Sequence, residues 1–295
     1  MESCKWHMTN LILMICVTFL YGCAKNPFGG NEISLENRQI RGKVRLSNNM
    51  KPKGVYVWLE GFNIGTRTDE QGNFQITLPQ PESQGNPRGV TGAFNIYYFV
   101  ANFNLDSTRV FTQNGFFVYD QGEINSNGEL NNPKFLFQNL SITTSITPSS
   151  VSSVDFESVG DGGAFIVRVD VTLQAIVDTV VVFFPALVND TYGPLIFRDI
   201  DTDEIFILPS AISGLVESDL DTIDSVPITR TMAVKMTPAD LPEGEYEVIP
   251  YLLLKSQGVP HLLIESLGEN VEALGRSYLN IPFRREGDRR FFRVN

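Results

Sequence analysis

From Gln39 onward the hydrophobic period of this chain is two, and it stays two between turn signals. Ile40, Gly42, Val44 and Leu46 alternate with Arg41, Lys43 and Arg45. Successive side chains of a strand point to opposite faces, so the pattern predicts a strand with one buried face. Asn48-Asn49-Met50-Lys51-Pro52-Lys53-Gly54 reads as a turn, after which Val55, Val57 and Leu59 alternate with Tyr56, Trp58 and Glu60. Asp69-Glu70-Gln71-Gly72-Asn73 has the composition of a tight turn in which Gly72 supplies a positive φ. Phe74, Ile76 and Leu78 make the next alternation. Pro79 ends it, because proline has no N–H to give to a ladder. A chain patterned this way folds into sheets, and the class is all-β.

The order Ile40-x-Gly42-x-Val44, Gly54-Val55-x-Val57-x-Leu59 and Thr68-Asp69-x-x-Gly72-x-Phe74-x-Ile76-x-Leu78-Pro79 resembles the carboxypeptidase regulatory-like domain, a small prealbumin-like β-sandwich. The resemblance implies a binding, spacer or scaffold module. It does not imply the peptidase the family is named for, whose zinc site needs histidines this chain lacks. The likeness weakens after Pro79. Gln80–Val90 is a polar insertion, Phe94–Phe103 a strongly aromatic strand, and Arg109–Phe111 and Phe116–Tyr119 are shorter candidates. Asp120–Pro133 reads as an exposed loop, and Phe135–Thr144 as the closing strand of the first domain.

The polar, Ser-rich segment Pro148–Ser153 marks a domain boundary. Beyond it, strands are expected at Phe165–Leu173, Val177–Phe184, Leu195–Arg198, Glu204–Leu208, Thr229–Met236, Glu245–Leu254 and Phe291–Val294. Short strands with turns between them suggest a second, immunoglobulin-like sandwich. Leu241-Pro242-Glu243-Gly244-Glu245-Tyr246 resembles the corner before a late strand of such sandwiches, where a tyrosine bonds back to the turn. Glu269–Ser277 is expected to form one short helix, with Ser266 as a candidate N-cap. The organisation is two β-sandwich domains, a prealbumin-like one over 37–148 and an immunoglobulin-like one over 149–295.

Ahead of them, Lys5 precedes an apolar stretch from Leu11 to Leu20. That stretch is too short to span a bilayer, which takes roughly 20 residues. It closes on Leu20-Tyr21-Gly22-Cys23, which resembles the bacterial lipobox. The resemblance implies a signal peptide over 1–22, lipid on Cys23 and a tether over 23–36. The membrane would be a partner through that lipid. Ala24 after the cysteine resembles outer-membrane sorting. The Asn-, Pro- and Gly-containing run 24–36 suits a tether. Removing the signal leaves about 270 residues, enough for one large domain or two of roughly 100–150 residues. Cys4 and Cys16 leave with it, so the remaining chain carries Cys23 alone and forms no disulfide.

The formal net charge of −11 argues against duplex nucleic acid, whose binding rests on neutralising phosphates. One local exception is Arg284-Arg285-Glu286-Gly287-Asp288-Arg289-Arg290, whose arginines could meet phosphates or an acidic partner, or form an internally paired turn. The chain has two histidines, His7 and His261. With His7 in the signal, no two-histidine zinc site can form, and a Ser-His-Asp triad would depend on His261. No nucleophile-elbow Gly-x-Ser-x-Gly is present. No catalytic residue and no cofactor are expected. Asp199, Asp201 and Asp203 place oxygens at alternate positions, as calcium loops do, but the glycine and glutamate such a loop requires further on are missing. The acidic run Glu217–Asp224 reads as a solvated loop. Tyr56 and Trp58 should point away from the first core, where they could stack on a sugar ring or fill a partner's pocket. Cover from Gln80–Val90 or from the second domain would make them packing instead. These features describe a membrane-anchored, non-enzymatic binding or scaffold lipoprotein of the bacterial envelope. The alternative is a carbohydrate-binding accessory lipoprotein for extracellular glycan.

Overall fold

The structure is a computed structural model and describes residues 35–147, 165–188, 191–208, 217–237, 239–255 and 258–293. Arg38–Asn295 form one contiguous unit. Strands account for half of the described residues, and the fold is all-β, built as β-sandwiches. Among the described residues no helix is long and apolar enough to cross a membrane.

In the first sandwich, strand β1 (Gln39–Leu46) lies between β4 (Asn73–Thr77), which is antiparallel to it, and β8 (Lys134–Leu136), which is parallel. Facing this sheet is a five-stranded antiparallel one, in the order β3 (Ile64–Arg67), β2 (Tyr56–Leu59), β5 (Gly92–Phe99), β6 (Asp106–Gln113) and β7 (Phe116–Phe117). Ile40, Val44, Phe74 and Ile76 meet Val57, Leu59, Ile96, Tyr98 and Val110 between them. Each such side chain removed from water contributes about 1.5–3 kcal/mol. The expected alternation therefore holds along β1, β2 and β4. Strand β3 was not foreseen; it pairs Ile64–Arg67 with Leu59–Tyr56 ahead of the Asp69–Asn73 turn.

The second sandwich faces a large sheet against a small one. The large sheet runs β15 (Glu217–Ile223), β11 (Val180–Val188), β12 (Thr191–Tyr192), β16 (Ile228–Met236), β10 (Phe165–Ala175), β9 (Leu140–Thr147) and β19 (Glu286–Gly287), with β18 (Leu253–Leu254) also on β11. The small sheet runs β14 (Ile205–Leu208), β13 (Leu195–Asp199), β17 (Gly244–Pro250) and β20 (Arg290–Arg293). Val167, Val169, Val171, Val182, Phe184, Met232 and Val234 pack against Leu195, Phe197, Tyr246 and Val248. Tyr246 is fully buried and its hydroxyl donates to the Pro242 carbonyl at 2.8 Å, the corner bond its sequence context suggests.

Three expectations are corrected. The closing strand foreseen over Phe135–Thr144 divides in two. Lys134–Leu136 stays on β1, whereas Leu140–Thr147 pairs with β10 and joins the second core, upstream of the Ser-rich segment. Asn102 makes this exchange possible: fully buried, its amide donates to the carbonyls of Leu140 and Arg284 and accepts the Arg284 N–H. The acidic run Glu217–Ile223 is a strand at the sheet edge, where charge blocks pairing with another chain. Finally, the helix is α1 (His261–Ser266), followed by a 3-10 turn at Arg276–Asn280. Ser266 ends α1 instead of capping a later one, donating its hydroxyl to the Leu263 carbonyl at 2.6 Å.

Candidate functional site

The outer faces of the two sandwiches do not both meet solvent. Period two sends Tyr56 and Trp58 out of the first core on β2, and Phe99 and Ala101 follow at the end of β5. The same alternation sends Ile196 out of the second core on β13, and Ile249 and Tyr251 at β17. Leu263, Leu267, Val271, Tyr278 and Ile281 from the segment that contains α1 fill the space between these faces. The result is a third hydrophobic core that belongs to both sandwiches.

Tyr56 and Trp58 therefore do not form the exposed platform their alternation suggests: they are 7% and 1% exposed. The cover comes from α1 and its continuation, not from Gln80–Val90. The Tyr56 hydroxyl lies 2.9 Å from that of Ser266, and Trp58 Nε1 donates to Asn63 Oδ1 at 3.1 Å. Tyr251 and Tyr278 pack edge to face with centroids 4.8 Å apart, and the Tyr278 hydroxyl donates to the Leu252 carbonyl. Burial pushes the Tyr278 phenol above its ordinary range.

The exposed aromatic rings among the described residues lie elsewhere, at Phe135 and Phe137 on and just after β8. Their centroids are 5.0 Å apart. The neighbouring strand β1 sets Arg45 opposite Phe135 and turns Arg41 to the solvent. Sequence reasoning missed this pair because both rings sit in a stretch taken for an ordinary core strand; their i, i+2 spacing was the available signal. Beside β1 and β3 opens a cleft of about 660 Å3 lined by Arg41, Lys43, Arg67, Asp69, Asn73 and Glu129, charged with both signs. At the end of the shared core a smaller pocket of about 240 Å3 is walled by Phe99, Ala101, Leu254, Ile264 and Phe283, with His261 at its rim.

The acidic turn Asp199–Glu204 joins β13 to β14 as a hairpin. Asp199 Oδ1 accepts the N–H groups of Thr202 and Asp201 at 2.7 and 2.9 Å, and the Thr202 bond leads in holding its carboxyl below the usual range. Asp203 approaches Arg198 at 3.8 Å, and Asp201 is exposed. The Asp199 carboxylate thus serves the turn, and among the described residues no three metal-ligating side chains converge. His261 is exposed and pairs along its helix with Glu265 at 3.3 Å. Cys23 lies outside the described residues.

No family profile and no curated protein matches the chain. Among solved structures it is similar to BcpA, the major pilin subunit of Bacillus cereus, at 13% identity and a TM-score of 0.26 over 71% of this chain. The chain spans 63% of that pilin's length. A likeness this distant says nothing about function, and the architecture rests on the strands themselves.

Proposed function

We propose that this chain is a membrane-anchored, non-enzymatic binding or scaffold lipoprotein of the bacterial envelope. The observation that supports this most is the third core. Two sandwiches that share buried rings keep their outer surfaces at a fixed spacing, unlike domains joined only by a linker. The Leu20-Tyr21-Gly22-Cys23 pattern supplies the anchor. Two or three acyl chains, at ~0.8 kcal/mol per buried CH2, hold a protein stably in a bilayer. From Cys23 to Gln39 the chain reaches at most roughly 60 Å, which keeps the first sandwich near the membrane. In live cells a fatty-acid probe should label the wild type and not Cys23→Ser; equal labelling refutes the anchor. A photo-crosslinker at position 137 should capture an envelope partner beside the exposed ring pair, and capture of none refutes the binding role of that face.

The second reading is a carbohydrate-binding accessory lipoprotein. Tyr56 and Trp58 no longer support it, but Phe135 and Phe137 offer solvent-facing rings of the kind that stack on sugars. Binding on a glycan array that Phe137→Ser abolishes would favour this reading, and an array without hits removes it.

A further inference from the structure

The arginine run near the end of the chain is divided by the fold. Arg290 pairs with Glu245 at 2.6 Å. Arg285 lies over the Phe283 ring, 4.6 Å from its centroid, and donates to the Tyr278 hydroxyl. Arg284 takes a different course and joins Arg67 of β3, and the exposed Arg289 is near enough for its charge to act on Arg284. Arg284 donates to the Lys53 carbonyl at 2.6 Å and to its neighbour Phe283 at 3.1 Å. Arg67 donates to the next carbonyl, Gly54, at 3.3 Å and to Asn280 at 2.5 Å. Two guanidiniums holding consecutive carbonyls of one turn are brought side by side, since adjacent α-carbons lie ~3.8 Å apart.

Nothing anionic answers them. Among the described residues no carboxylate forms an ion pair with Arg67, Arg284 or Arg289. The nearby Glu70 is taken by Lys53 at 2.6 Å. Asp288 faces the Ile146 N–H. Burial first, and then the charges of Arg67 and Arg289, lower the proton affinity of Arg284. Arg284 Nε is buried without a hydrogen-bond acceptor. Like charges gathered and partly desolvated in this way are unfavourable by themselves. In a chain with a formal charge of −11 there is no general excess of cations to explain them.

We infer that Arg67, Arg284 and Arg289 form a binding site for a phosphate group, at the junction of the first sandwich with the C-terminal segment. A guanidinium carries five N–H donors, and the carbonyl bonds of Arg67 and Arg284 use two on each. Those bonds fix the two heads and leave the second N–H of each Nη oriented before any ligand arrives. A carboxylate has two oxygens in one plane and is satisfied by a single bidentate arginine. Three guanidiniums, one from β3 and two from the C-terminal run, call for the more numerous, tetrahedrally arranged oxygens of a phosphate. The phosphate could be free or part of a lipid headgroup. The site does not depend on acylation of Cys23, so either reading can fail without the other.

The test titrates the purified full chain with inorganic phosphate, and with sodium chloride at matched ionic strength, following thermal unfolding and binding heat. Phosphate should stabilise the chain beyond chloride. Arg289→Gln removes an exposed side chain with no structural bond and should leave the unliganded melting temperature in place while weakening phosphate binding about tenfold. Arg67→Gln should weaken it at least as much. Soluble dihexanoyl-phosphatidylglycerol, compared with the phosphatidylcholine of the same chain length, separates the sources. Tighter binding than phosphate assigns a lipid headgroup, and no gain assigns free phosphate. The proposal is overturned if phosphate does no more than chloride, or if Arg289→Gln binds it as the wild type does.

Discussion

Replacing Trp58 with alanine separates a shared core from an exposed platform. Trp58 is 1% exposed, with Tyr97 5.9 Å away ring to ring and the α1 segment above it. Truncating a buried tryptophan removes its transfer energy and leaves a cavity, which costs about 3–5 kcal/mol. The lost bond from Nε1 to Asn63 adds little, because the exposed Asn63 can turn to water. For a body of this size that loss lowers the melting temperature by roughly 6–20 °C. A solvent-facing tryptophan would cost at most about 0.5 kcal/mol. Urea unfolding followed by circular dichroism measures the difference. The chain's other tryptophan is Trp6, so in a Trp6→Phe background the fluorescence reports Trp58 alone. Its emission should be blue-shifted and poorly quenched by acrylamide. Val271→Asp, which buries a charge on the facing segment, should move that emission to the red. A destabilisation under ~0.5 kcal/mol for Trp58→Ala, or water-like emission in the wild type, would refute the shared core.

Two further outcomes follow from the same packing. Gly72 has φ +84°, and a β-carbon there would strike the Val44 carbonyl, whereas Gly54 at φ +78° has open space around it. Gly72→Ala should therefore cost about 1–3 kcal/mol or more and Gly54→Ala about 1 kcal/mol; equal losses in urea would contradict this. Burial raises the phenols of Tyr98, Tyr246, Tyr251 and Tyr278 above their ordinary value of 10.0. The unfolded chain loses these protons first, so stability is full below pH 10 and falls above it. Each phenol that stays neutral contributes a loss of about 1.4 kcal/mol per pH unit. Native-state titration of all tyrosines near their ordinary value, without unfolding, would sink that expectation.

The sequence by itself determined the class of fold and the inward face of most strands. Ile40, Val44, Phe74 and Ile76 lie where their period places them, and the Pro242–Tyr246 corner forms as its residues suggest. These features are local: alternation, proline, glycine and a turn tyrosine act over a few residues. What the other face of a strand meets is not local. The tertiary structure alone decided that Tyr56 and Trp58 are buried, because their cover comes from residues some two hundred positions later, which carry no mark of their destination. It alone placed Leu140–Thr147 in the second core, since a strand's partner is chosen by the sheet that forms around it. It also sorted the four arginines of the run 284–290. Identical side chains in one run became an ion pair, a ring cover, a bond to the Lys53 carbonyl and a solvent-exposed cation, because a two-residue strand and a buried asparagine fix where each one points.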